Sequence, residues 1–113
     1  MKAYDKKCLD QVARTMKVLQ GKWTVQVLCV LLDGPVRLSQ LRRLMPAASK
    51  KGLTANLRSL EGLHLIVRRD LSSSVLHVEY EIPEIALAPL AELVNQLSQF
   101  QNYLPVHANH SVR

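Results

Sequence analysis

Basic side chains crowd one stretch of this chain. Arg37, Arg42, Arg43, Lys50, Lys51 and Arg58 fall within it, and their guanidinium and ammonium groups bind phosphate oxygens, Arg through a planar fork and Lys as a point charge. Ser49, Thr54 and Ala55 stand among them, small enough to reach base edges or to meet a thymine methyl. Farther on, Arg68 and Arg69 precede Ser72, Ser73 and Ser74. The chemistry these residues suit is holding a polyanion. No carboxylate pair, Ser-His-Asp set, glycine-rich phosphate loop or metal cluster is visible in the sequence, so neither an enzyme nor a cofactor is expected.

The charge balance agrees. Fifteen Lys and Arg against nine Asp and Glu leave +6 on 113 residues, a balance that favours nucleic acid over acidic small molecules. The N-terminus has lysines but no apolar stretch of signal-peptide length, and no segment approaches the ~20 apolar residues of a membrane span, which predicts a cytoplasmic protein. His107 and His110 have ligand-like spacing but stand beside asparagine with no thiolate or carboxylate, so residues 105–113 read as a flexible tail and no metal is expected.

Two cysteines, Cys8 and Cys29, lack the paired spacing of a disulfide framework or zinc site. Cys8 has Lys6 and Lys7 beside it. A thiolate favoured by those cations makes Cys8 a candidate redox sensor; strong solvation of the lysines makes it incidental. Cys29 reads as an inert small hydrophobe inside an apolar helix.

The elements that must position the cations follow from periodicity. Leu9, Val12, Ala13 and Met16 recur at helical spacing and predict an N-terminal amphipathic helix that loosens before Gly21. A second helix from Lys22 has Trp23, Val27, Val30 and Leu31 on one side and Val25, Leu28, Cys29 and Leu32 on the other. Apolar all round, it is expected to be buried all round, with Trp23 a core or interface anchor. Asp33-Gly34-Pro35 ends it.

A short third helix shows Leu38, Leu41 and Leu44 or Met45 on one face, with Ser39 as its expected N-cap and Pro46 beyond its end. Ser49 is placed to cap the next helix, in which Leu53, Leu57 and Leu60 fall at i, i+4, i+7. Two short helices with a tight connection outline a helix-turn-helix. Leu65 to Leu71 and Val75 to Ile82 then read as a hairpin about the three serines, with Leu76, Val78, Tyr80 and Ile82 alternating inward. After Pro83, Pro89 suits a first helical turn, and Leu87, Leu90, Val94, Leu97 and Leu104 repeat close to a heptad. The fold class expected is mainly α with a small β-hairpin (α+β), a winged helix-turn-helix with extra N- and C-terminal dimerisation helices. As one domain it divides into an N-terminal dimerisation helix (1–20), a DNA-binding core with wing (21–82), a C-terminal dimerisation helix (83–104) and the tail.

Gly21-Lys22-Trp23-Thr24, Asp33-Gly34-Pro35, Leu38-Ser39-Gln40-Leu41-Arg42-Arg43, Ser49-Lys50-Lys51, Leu53-Thr54, Leu57-Arg58-Ser59-Leu60-Glu61 and Val78-Glu79-Tyr80 form an ordered series. It resembles the HxlR-type, MarR-like family of bacterial winged-helix transcriptional regulators, whose pattern runs GKW, DGP, RFSELRR, S-x-K, LT, LRxLE and VEY. The resemblance implies a homodimer on operator DNA with terminal helices as the dimer contact. His64 stands where these proteins usually show glycine, so either His64 takes an unfavourable turn geometry or the turn shifts onto Gly62.

With Leu53, Leu57 and Leu60 inward, Lys51, Ala55, Arg58, Ser59 and Gly62 share the opposite side at 100° per residue. A recognition helix enters the major groove N-terminal end first, which puts Lys50, Lys51 and Thr54 near bases and makes Arg58 the first choice for a guanine contact. Gly52 reads either as close approach to the groove or as tolerated drift. Arg37, Arg42 and Arg43 suit the phosphate backbone. Strand alternation lets only one of Arg68 and Arg69 face outward, and Arg69, Ser73 and Ser74 are the wing's candidates for phosphate or minor groove. Dimer contacts are expected from Leu9, Val12, Met16, Leu90, Val94, Leu97 and Leu104. The partners expected are double-stranded DNA and a second copy of the chain, with a small-molecule or redox effector left open and no membrane. A winged-helix module that binds protein or RNA without operator specificity is the competing class.

Overall fold

The computed structural model describes residues 5–106. Its elements are α1 (Lys6–Leu19), α2 (Thr24–Leu31), β1 (Val36–Arg37), α3 (Leu38–Leu44), α4 (Lys50–Gly62), β2 (Val67–Asp70), β3 (Val78–Glu81) and α5 (Glu84–Phe100), followed by a 3-10 turn at Gln101–Tyr103. The chain divides into two compact units, Met1–Pro83 and Glu84–Arg113.

In the first unit, the core collects Val27, Leu28 and Leu31 of α2, Leu41 of α3, Met45, Leu53, Leu57 and Leu60 of α4, Ile66, and Val78, Tyr80 and Ile82 of the wing. The inward stripe of α4 is therefore as expected, each of its leucines about 98% buried or more. For α3, Met45 and not Leu44 completes the apolar face: Met45 is buried and Leu44 half exposed.

Local chemistry explains the boundaries. The Asp5 carboxylate accepts from the Cys8 N–H at 2.8 Å and starts α1, and Ser49 Oγ accepts from the Gly52 N–H at 2.9 Å and starts α4, each satisfying one of the free donors of a first turn. Ser39 is not a cap. It lies inside α3, whose N-cap position is Arg37 with no side-chain bond, because β1 runs directly into that helix. At the end of α4 the Leu65 N–H reaches Leu60 O and the His64 N–H reaches Glu61 O, both at 3.0 Å, the paired bonds of a Schellman turn. His64 sits at its left-handed position with φ 61°, so the turn has not moved onto Gly62, which remains helical.

Three expectations are corrected here. Helix α2 is buried on one side only: Thr24, Val27, Leu28 and Leu31 are buried, while Val25, Gln26 and Cys29 are exposed, because eight residues meet the core along a single face. Cys29 is thus an exposed thiol, not a core hydrophobe. The hairpin is shorter than the alternation predicted, since Leu71 to His77 form its loop and leave Leu76 about 77% exposed. And β1, too short for any periodicity, adds a third strand, giving antiparallel order β1-β3-β2 with Val36 opposite Tyr80 and Arg68 opposite Tyr80 on the other edge.

α1 has no buried residue, and its stripe of Leu9, Val12 and Met16 is more than half exposed. In the second unit, Pro89 lies in the interior of α5 rather than in its first turn, where its missing N–H leaves the Ile85 carbonyl without a helical donor. Leu90 is the buried residue of α5; Leu87 and Val94 are half-buried, and Leu97 and Leu104 are exposed, the latter beyond the helix. Phe100 and Tyr103 stack at 5.9 Å between ring centroids. His107, His110 and most of the predicted tail fall outside the described residues.

Candidate nucleic-acid interface

Residues 37–58 hold six cations and no acid. On α4, Lys50, Lys51, Ala55 and Arg58 are exposed and Thr54 is half-buried, and these five line one shallow concavity of about 480 Å³. The buried leucines on the opposite side hold that face out. Ser59 is exposed but lies off this concavity.

The N-terminal end of α4 is fixed by two contacts. A methyl group on Gly52 would sit 3.0 Å from Ser49 Oγ and 3.6 Å from Trp23 Nε1. Gly52 therefore faces the cap and the Trp23 indole, where a side chain would crowd the hydroxyl that caps the helix. Trp23 itself is half-buried, with Lys22 Nζ 5.2 Å from its ring centroid. Gly52 also shows how the indole meets the basic helix.

A contact that periodicity could not reveal ties α2 to α4. Thr24 is buried to 97%, and its Oγ1 accepts from Asn56 Nδ2 at 3.0 Å. Asn56 Oδ1 is buried with no hydrogen-bond partner.

On α3, Arg42 and Arg43 are exposed. Arg42 and Arg37 share a notch of about 90 Å³ with Leu76 and Val78, where Arg37 Nη2 donates to Leu76 O at 3.3 Å. Arg43, Arg69, Ser73 and Ser74 lie outside both concavities.

The wing's outward face is mixed in charge. Register places Glu79 of β3 opposite Arg37 on one side and Arg69 on the other, Arg69 forms an ion pair with Glu81, and His77 Nε2 lies 2.7 Å from Glu79 Oε2. Arg68 and Arg69 are both exposed. Alternation does send them to opposite faces, but Arg68, opposite Tyr80, rides an edge strand and stays exposed as well. The serine loop is ordered by its own bonds: the Ser72 N–H donates to Asp70 Oδ1 at 3.0 Å and Ser72 Oγ accepts from the His77 N–H at 2.9 Å. The Ser72 hydroxyl beside Asp70 and, after it, the Ser72 N–H favour the carboxylate and hold the Asp70 carboxyl below its ordinary range. Ser73 and Ser74 are left at the exposed tip.

Comparison with known proteins decides the family. The HxlR-like helix-turn-helix profile matches residues 18–107. The chain belongs to that family. HxlR-like relatives include YtcD of Bacillus subtilis, an HTH-type transcriptional regulator 42% identical over 79 residues, which are 70% of this chain and 63% of YtcD. The chain thus spans under two thirds of that relative. A crystal structure of ytcD superposes with TM-score 0.72 at 35% identity, over 90% of this chain and 97% of that one. The reduced form of the redox regulator HypR superposes with TM-score 0.74 at 28% identity, over 82% and 91%. The HxlR-like chain described here accordingly carries that family's helix-turn-helix on a winged-helix fold. Among the described residues no helix is long and apolar enough to cross a membrane.

Proposed function

We propose that the protein is a single-domain regulator that binds operator DNA as a homodimer in the cytoplasm, with α4 in the major groove and the wing on the backbone or minor groove. One observation carries it: Lys50, Lys51, Thr54, Ala55 and Arg58 share one open concavity of α4, with Lys51, Ala55 and Arg58 opposite its buried leucines. In that reading Ser49 and the lysines meet the groove end first, Arg58 reads a guanine, and Arg37, Arg42 and Arg43 hold phosphates. A protein-docking winged helix would present apolar side chains on this face, and the exposed residues here are cationic or small.

Dimerisation is supported by the exposed stripe of Leu9, Val12 and Met16 and by Leu97 and Leu104, apolar surface that a second copy would remove from water. Residues 1–20 and 83–104 supply it in this reading. Leu90 and Val94 are more enclosed within the chain and contribute less. Cys8, half-buried and beside two lysines, is the thiol to test for the redox response that the name of HypR carries.

Gel shifts on the protein's own upstream region test the reading. Arg58→Ala is expected to lose preference for specific over random duplex, and Arg42→Ala to weaken both alike. Equal losses on both duplexes for both variants would refute the assignment of roles, and no binding at all would refute operator recognition. Peroxide that changes affinity in the parent but not in Cys8→Ser supports the sensor; no change removes it.

A further inference from the structure

We propose that Arg37 is a positioning residue: it fastens the wing loop, residues 71–77, to the helix-turn-helix, so that the loop and α3 meet the DNA backbone at a fixed separation. The fastening belongs to the free protein; only its effect on DNA rests on the binding reading above. Arg37 stands where β1 ends and α3 begins, its backbone extended at the N-cap position and its register fixed opposite Glu79 of β3. From that junction its Nη2 donates to Leu76 O at 3.3 Å, across 39 residues of sequence.

The loop's other bonds are internal to the wing. The Leu71 N–H and the Ser72 hydroxyl meet the His77 backbone and close the loop on itself, and His77 pairs with Glu79 of its own strand. Among the described residues, no other side-chain hydrogen bond or ion pair joins residues 71–77 to anything outside the wing. Apolar burial does not substitute. Leu71, Val75 and Leu76 are all more than half exposed, and hydrophobic gain scales with the area removed from water. Without Arg37 the tip is tied at its base alone, free to sample many positions relative to α3.

The guanidinium suits a double task. It presents five donors in a planar fork; Nη2 is spent on Leu76 O, and its other nitrogens have no partner among the described residues. Arg42 lines the same notch as Arg37 and Leu76, so a phosphate drawn to the two cations lies beside the loop that Arg37 holds. A side chain that grips a carbonyl with one nitrogen and a phosphate with another sets the distance between them. Arg42 supplies the control, because it has the same charge and the same notch but no bond to the loop among the described residues.

The free protein is tested first. Arg37→Met keeps an unbranched stem over the notch and removes every donor. Amide hydrogen exchange and backbone NMR relaxation should show Ser74, Val75 and Leu76 loosened in Arg37→Met and unchanged in Arg42→Met, with Ser72 and His77 parental in both. Tip amides in Arg37→Met equal to the parent's would overturn the fastening, whether or not the protein binds DNA. On DNA, each Met variant removes one cation, so the slope of log affinity against log salt should flatten by about 0.9 in both. Arg37→Met should nonetheless lose about five- to tenfold more affinity than Arg42→Met, the loss expected for one hydrogen bond to a charged donor in an exposed setting. Ser73→Asp combined with Ser74→Asp puts two carboxylates at the tip and drives it from phosphates, and in that background the excess should vanish. Arg37→Lys should restore the slope and not the excess, because a point charge lacks the second edge of the fork. Additive losses, or full recovery by Arg37→Lys, would overturn the coupling of loop to DNA. A parent that binds no duplex would overturn that coupling together with the operator reading, and the fastening then stands or falls on the free protein.

Discussion

Asn56 of α4 donates its amide N–H to the Thr24 hydroxyl at 3.0 Å, across 32 residues of sequence. Thr24 is the one buried polar residue of the core among the described residues, and the bond fixes how far α4 can turn about the leucines beneath it. Thr24→Val keeps the shape and removes the acceptor, leaving the Asn56 amide unpaired on both atoms. Unfolding by urea should show a loss of about 1–3 kcal/mol, and pairing the change with Asn56→Leu should recover part of it. A Thr24→Val protein as stable as the parent would mean that water, and not Thr24, satisfies this amide.

Gly52 gives a second test, with a sign opposite to the usual one. Glycine inside a helix costs about 1 kcal/mol relative to alanine, so Gly→Ala ordinarily stabilises. Here the added methyl would stand 3.0 Å from the capping Ser49 Oγ, and loss of such a cap costs about 1 kcal/mol. Gly52→Ala is expected to give no net gain, and Ser49→Ala to lose about 1 kcal/mol and loosen the turn that carries Lys50 and Lys51. A clear rise in unfolding midpoint for Gly52→Ala would show that the cap yields freely.

Legibility in the sequence followed the length of each pattern. The leucines at 53, 57 and 60 and the cap at Ser49 needed only helical period and capping chemistry, and both were readable. Helix α2 misled because apolar residues on both sides say nothing about how many sides the fold covers; Val25 and Cys29 are exposed. The two-residue β1 is shorter than any period, and the alternation of Val78, Tyr80 and Ile82 was extended wrongly to Leu76 because the bonds that end the strand, Leu71 to His77 and Ser72 to His77, leave no hydropathic trace. Asn56 and Thr24 are two ordinary polar residues until the chain folds and brings them together. The cationic face was legible because one helix supplies all of it.

His64 stores strain at a known position. A non-glycine residue in the left-handed region costs roughly 1–2 kcal/mol, and at φ 61° His64 bears it to complete the Schellman turn. Glycine adopts this geometry freely but loses more entropy on folding, so His64→Gly should stabilise by about 1 kcal/mol net, read by thermal or urea unfolding. His64→Ala should not stabilise, since it keeps the Cβ. Equal effects of the two would place the cost outside the backbone.

Arg69 and Glu81 set the wing's charge. Because Arg69 is ion-paired with Glu81 and stands opposite Glu79, a wing that meets DNA must bring two carboxylates toward phosphates and part that pair. Both effects oppose binding. Glu81→Gln removes one repulsive charge and frees the guanidinium, so DNA affinity should rise several-fold at low salt. The slope of log affinity against log salt should steepen by about 0.9, the value for one further phosphate neutralised. Arg69→Ala in the Glu81→Gln background should abolish the steepening, and with it most of the gain. The pair is an exposed one of small worth to stability, so unfolding midpoints should hardly move and the readout is binding alone. If Glu81→Gln leaves both affinity and slope at parental values, the outer face of the wing does not approach the duplex, and contact there is confined to Ser73 and Ser74 at the tip.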